Sequence, residues 1–179
     1  MAAAPMFAGP PLAYAPIASI PALTHYSDRP TPHVYSVGQD PEPGFKPRGL
    51  WVSVNDGGRG WPHYVESEAG WAAYRLRVVH SVRLAPSARI LLIASVADFD
   101  AFAALYGVRL PSAPSNFYHF VDWARVAGAY QGIVIAPYRY DRRLHGGLWY
   151  YTWDCASGCI WDADAIEAIT VRASTREVA

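Results

Sequence analysis

The chain has 179 residues, 52% of them hydrophobic, and a formal net charge of zero. That length and composition allow one domain with a substantial core, and the balanced charge removes any global electrostatic case for binding nucleic acid or an anionic membrane. No apolar run approaches the roughly 20 residues of a membrane-spanning helix, and two cysteines are too few for a disulfide framework, so a reducing, cytoplasmic setting is the expectation.

Ten of the fifteen prolines fall within the first 48 residues. Each removes a backbone donor and restricts its neighbour, which excludes regular helix there. Residues 1–21, "MAAAPMFAGPPLAYAPIASIP", lack the basic start and uninterrupted apolar run of a signal peptide. They read as an extended arm, lying either on its own domain or across a partner, and residues 22–179 read as a single domain. "ALTHY" (22–26) is a short strand, followed by "PHVYSV" (32–37) and the turn-rich "GQDPEPGFKPRG". "LWVSV" (50–54) is a strand that stops at "NDGG".

Residues 61–75 read as a helix, and "LRVVHSVRL" (76–84) alternates like a strand. "ARILLIAS" (88–95) is apolar throughout and suits a central strand buried on both sides. Ser95, with Asp98 in the first turn, opens a helix that stops at Gly107. "NFYHFVDWARVAGAY" is a further helix with Phe117, Phe120, Val121 and Ala124 on one face. "GIVIAPY" and "LWYYTWD" read as strands and "GCIWD" as the last strand, with "ADAIEAI" a short helical turn before "TVRA". Six or seven strands with two or three helices, not in strict alternation, define an α+β fold with a mixed or antiparallel sheet.

Cys155 and Cys159 stand four apart, a spacing zinc knuckles use, but no second pair exists to complete a metal site. A nucleophilic cysteine needs a depressed pKa, and Asp154 pushes the Cys155 thiol the other way. Cys159, in an apolar strand, reads as a core residue. On the first strand His25 and Ser27 share one side and Tyr26 takes the other, giving a polar face able to hydrogen-bond a ribose. Trp51 and Ser53 share a face of the second strand, with Trp51 either core or a stacking platform for a planar ring. His63, His80, His119 and His145 carry no assigned role, and Arg142 and Arg143 in "YRYDRRLHGG" read as a solvated loop.

The succession "LTHYS", "GLWVSV", a helix, "GAYQGIVI" and "CIWDADAIEAI", spanning about residues 22–170, resembles a small mono-ADP-ribosyltransferase domain. The resemblance implies a split sheet with NAD as substrate. His25 would bind the nicotinamide ribose, Trp51 would stack on nicotinamide, Ser53 would support the site, and Tyr26, Ser27 and Ser157 would complete it. One departure stands out: the family's catalytic glutamate falls at about Ser157, and serine cannot polarise the ribose hydroxyl or stabilise an oxocarbenium-like transition state. Asp154 is the acid within reach, whereas Glu167 lies beyond the strand, so either Asp154 substitutes from a shifted position or the domain binds nucleotide without transferring ADP-ribose. Two expectations follow. One is an NAD-dependent transfer of ADP-ribose to a protein or nucleic-acid acceptor, with His25, Ser53 and Asp154 catalytic. The other is a non-catalytic subunit of a larger assembly, strapped to its partners by residues 1–21, with tryptophans and tyrosines as interface anchors.

Overall fold

The computed structural model of the chain describes residues 12–112, 117–145 and 147–174. In chain order the strands are β1 (Leu23–Ser27), β2 (Leu50–Val54), β3 (Val78–Leu84), β4 (Ile90–Ile93), β5 (Gly107–Val108), β6 (Phe120–Val121), β7 (Gly132–Ile135), β8 (Ser157–Ile160) and β9 (Ile166–Ser174). The α-helices are α1 (Trp61–Ser67), α2 (Val96–Tyr106), α3 (Trp123–Ala129), α4 (Tyr140–Arg143) and α5 (Leu148–Tyr151). Seven strands form one mixed sheet in the order β4-β7-β8-β2-β1-β3-β9, and β5 pairs with β6 in a small ribbon. Only β4 and β7 run parallel; the other neighbours are antiparallel. The fold is α+β, as composition and periodicity indicate.

Strands β7 and β8 are buried along their whole length, which is why "GIVI" and "SGCI" lack polar alternation. On one face Leu91, Ile93, Ile133 and Ile135 pack with Phe99 and Phe102 of α2, Val126 of α3 and Trp149 of α5. On the other, Ile90, Val134, Val52 and Ile160 pack with Leu23 and Val82. Helix α2 starts where its sequence dictates: the Ser95 side chain accepts from the Asp98 N–H while the Asp98 carboxylate accepts from the Ser95 N–H, a complete capping box.

The described part of the arm lies on its own domain. Leu12 joins the helix-covered cluster, whereas Ile17 and Ile20 join the cluster on the opposite face. Between them the Ala15 N–H donates to the Ile90 carbonyl at 3.0 Å, and the Tyr130 hydroxyl donates to the Leu12 carbonyl. The arm therefore wraps the outer edge of β4. Residues 1–11 of the expected arm lie outside the described residues.

Several local expectations are corrected. The run 88–95 forms an edge strand, not a central one; its two-sided burial comes from the arm and α2. The expected helix over 61–75 is α1 followed by a separate 3-10 segment, Gly70–Leu76. Residues 32–37 form no strand. Among the described residues of "NFYHFVDWARVAGAY" only Trp123–Ala129 is helical, capped by the Asp122 side chain; Phe120 and Val121 form β6, and Ala124 is exposed while Trp123 and Val126 face the core. "LWYYTWD" is mostly α5, because Trp149 and Tyr150 pack fully buried against α2. The supposed loop at Arg142 and Arg143 is α4. "GCIWD" is not the last strand, since "IEAITV" continues as β9. Strand β9 pairs with β3 through two register shifts, which leave Arg172 and Glu167 as the extra residues.

Candidate functional site

The sheet opens at one place. Strands β1 and β2 share two register pairs, Leu23–Val54 and Thr24–Ser53. Beyond them the strands part, and a cleft of about 410 Å³ lies at the parting. That volume is within the usual range for small-molecule sites. His25, Tyr26, Trp51, Ser53, Asp154 and Ser157 all line it. Six of the seven residues singled out from the sequence thus share one cavity. Ser27 does not line it, because its hydroxyl turns to donate to the Arg29 carbonyl.

The residues do not arrive from one sheet face. Trp51 packs against the helix-covered cluster, and Ser53 follows it by alternation. Leu23 packs in the opposite cluster, and His25 shares its side of β1. The imidazole enters through the gap: His25 Nδ1–H donates to the Trp51 carbonyl at 2.8 Å, bridging the parted strands. A carbonyl only accepts, so the proton sits on Nδ1 and the neutral ring keeps a lone pair on Nε2. Burial lowers the His25 pKa below its ordinary value, the Trp51 carbonyl opposes this, and nearby His80 adds to the lowering. Neutral imidazole is therefore the favoured form in the fold.

The two serines are structurally engaged. The Ser53 hydroxyl accepts from the Trp61 N–H at 2.8 Å, fixing the start of α1 beside the cleft. Gly60 permits this approach, since a Cβ there would lie 2.9 Å from Ser53 Oγ and 2.8 Å from the Val54 carbonyl oxygen. Ser157, paired with Ser53 across β2 and β8, donates to the Cys155 carbonyl at 2.9 Å. Its hydroxyl holds the turn that leads into β8.

Asp154 brings a carboxylate to the lining of the cleft. Its carboxylate lies 3.6 Å from the Arg143 guanidinium, and the neighbouring Tyr64 hydroxyl favours its charged form. Burial raises its pKa above the ordinary carboxyl value, against the opposing charges of Lys46 and Arg143. Lys46 places its ammonium 5.2 Å from the Trp51 ring centre, close enough for a cation–π attraction. Burial lowers the Lys46 pKa, and Asp154 opposes that. Trp51 meets Trp153 edge-on at 4.8 Å, and Trp61 and Arg75 also line the cleft. Tyr26 completes it, its hydroxyl pKa raised by burial.

Sequence reading missed Lys46, Trp61, Arg75, Trp153 and Arg143. Only Lys46, the sole lysine, carried a legible signal. The cysteines are free and buried. Burial, with the Asp154 charge adding to it, pushes the Cys155 thiol up to about 12, and burial alone raises Cys159. Neither is a nucleophile at neutral pH. Arg142 is committed to Asp100 through two 2.7 Å hydrogen bonds. Glu167 pairs with Arg83 at 2.8 Å on the β9 edge, away from the cleft. Among the described residues no group of three or more His, Cys, Asp or Glu side chains is placed to hold a metal ion.

A pH dependence follows from His25. Its folded pKa lies below the unfolded value of 6.5, so below pH 6.5 the unfolded chain takes up a proton that the fold refuses. Stability is full above pH 6.5, falls as pH drops from there towards the folded pKa, and levels off below it. Thermal melts of wild type and His25→Asn between pH 7.5 and 5 should show a shallower decline in the variant. Equal slopes would remove His25 from the account.

Comparison with known proteins adds nothing to this geometry: no protein-family model, no curated protein and no solved structure matches the chain.

Proposed function

We propose that the chain is an ADP-ribosyltransferase-like protein that binds NAD in the cleft between β1 and β2 and transfers ADP-ribose to a macromolecular acceptor. The observation that carries this reading is the convergence of His25, Trp51, Ser53 and Asp154, drawn from three distant parts of the sequence, on one cavity. The lining suits the ligand. Trp51, Trp61 and Trp153 offer faces and edges to planar rings. Lys46 and Arg75 supply positive charge for a pyrophosphate, and His25 Nε2 is an acceptor for a ribose hydroxyl.

In the reaction the bond between ribose C1′ and the nicotinamide nitrogen breaks, and nicotinamide leaves neutral with the bonding pair. An acceptor oxygen or nitrogen bonds to C1′ and loses its proton. Asp154 is the group that stabilises positive charge building on the ribose and polarises a ribose hydroxyl, the work the family assigns to glutamate. The proteins and nucleic acids that serve as acceptors share one requirement, a nucleophile able to reach C1′.

The alternative, an assembly subunit strapped to neighbours by its arm, is less favoured because residues 12–20 pack on the chain's own sheet. Incubation with NAD labelled in the adenylate half decides between them. Transfer of label to protein or nucleic acid, with stoichiometric release of nicotinamide, is the expected result. Absence of both, together with no NAD binding by calorimetry, would defeat the proposal.

A further inference from the structure

Behind His25 stands a second histidine that the cleft does not display. His80 lies directly opposite His25 in the β1–β3 register and is fully buried. The inward-facing row of β3 reads Val78, His80, Val82, Leu84, so the imidazole is the polar member of an apolar series. A leucine there would bury without the desolvation cost of a ring with two polar nitrogens. The polar choice has a specific structural result: both nitrogens are committed. The Thr31 N–H donates to His80 Nε2 at 3.0 Å, and His80 Nδ1 lies 3.3 Å from the His25 carbonyl oxygen. An N–H only donates and a carbonyl only accepts, so His80 carries its proton on Nδ1 and its lone pair on Nε2.

Its ring also meets the ring of His25, with centroids 5.4 Å apart and planes tilted by 43°. His25 is therefore held at three points: its carbonyl by His80 Nδ1–H, its Nδ1–H by the Trp51 carbonyl, and its ring by the His80 ring. Thr31 joins the same chain of hydrogen bonds from the connection that follows β1. The strand pairing that would ordinarily fix His25 against β2 is missing at this point, because β1 and β2 have already parted.

We propose that His80 is a positioning residue for His25: it locks the β1 main chain and the His25 ring so that Nδ1 stays on the Trp51 carbonyl and the Nε2 lone pair stays turned to the ligand. This rests on the reading of the cleft as an NAD site, but the coupling between the two histidines is measurable without NAD.

The experiment is long-range proton–nitrogen NMR of the imidazole rings at pH 7.5, with NAD titration alongside. In wild type both His25 and His80 should show a protonated Nδ1 and an unprotonated Nε2. In His80→Leu, checked for folding by circular dichroism, His25 should lose that single-tautomer signature and NAD affinity should fall about tenfold. In His80→Gln, which keeps a donor and an acceptor, the His25 signature should return at least in part. Retention of the wild-type His25 signature in folded His80→Leu would overturn the proposal, since a purely structural residue would shift the melting point and leave the tautomer alone. Should His80→Leu not fold, the wild-type spectrum still decides, because a His80 proton on Nε2 is incompatible with the clamp. If His25 responds to His80→Leu while wild type binds no NAD, the positioning stands and the NAD reading falls.

Discussion

Gly158→Ala will destabilise the domain by roughly 3 kcal/mol, the upper end of the usual range for overpacking. Gly158 sits in β8 between Val134 of β7 and Val52 of β2. A Cβ there would lie 2.5 Å from the Ile133 carbonyl oxygen, 2.9 Å from Val134 Cγ2 and 3.2 Å from Val134 Cα. Two of those three atoms are backbone in a buried strand, so relief requires moving a ladder and not a rotamer. Strand β8 cannot shift away, since β2 holds its other edge. Urea unfolding should show the midpoint falling by about 1–3 M, given the usual slope for a small protein. Gly128→Ala provides the opposite sign: that glycine lies in α3 with nothing within 4 Å of an added Cβ. It should gain roughly 0.5–1 kcal/mol, because alanine is the better helix former. Equal midpoints for Gly158→Ala and wild type would mean that the β7–β8 register is wrong.

Asp154→Asn should reduce the proposed turnover by at least about 100-fold while leaving the fold as stable as wild type or more so. The two halves have separate causes. Asparagine is isosteric but carries no charge to place beside a ribose cation. Stability responds to the environment the carboxylate already has. Burial outweighs the attraction of Lys46 and Arg143 and raises the Asp154 pKa, so at neutral pH folding works against the charged form. Removing the charge relieves that opposition. Ser157→Ala is the companion variant, because that hydroxyl serves the Cys155 carbonyl, and it should leave turnover largely intact. Label-transfer rates and thermal melts on the same preparations separate the effects. Comparable loss of rate in both serine and aspartate variants would show that the acid role does not belong to Asp154.

What could be read from the sequence was what local chemistry decides. The β-branched runs in β2, β4 and β7, the Ser95–Asp98 cap and the turn at Asn55, whose side chain accepts from the Gly58 N–H, all declare themselves over a few residues. Elements decided by distant packing did not. "LWYY" has the aromatic content of a strand, yet its rings anchor a cluster with Phe99 and Phe102 on α2. "ADAIEAI" has helix-forming alanines and a glutamate, but pairing along β3 draws most of it into β9. The same division runs through the site. His25, Trp51 and Ser53 stand out as polar or aromatic residues at strand positions. Lys46, Arg75 and Trp153 become neighbours only when the strands part, and His80 has a partner 49 residues away at Thr31. No local pattern encodes where two strands stop pairing.

Both outer margins of the sheet are protected, each by a different device. At β9 the extra residues Glu167 and Arg172 place charge where the ladder is already kinked, which discourages docking by another extended chain. At β4 the strand is short and apolar, and its guard is the proline-punctuated segment around Ala15. Proline cannot extend a ladder, so this cover seals the margin without offering a new one. A chain clipped before Ile20 would present a bare apolar template for pairing with another extended strand.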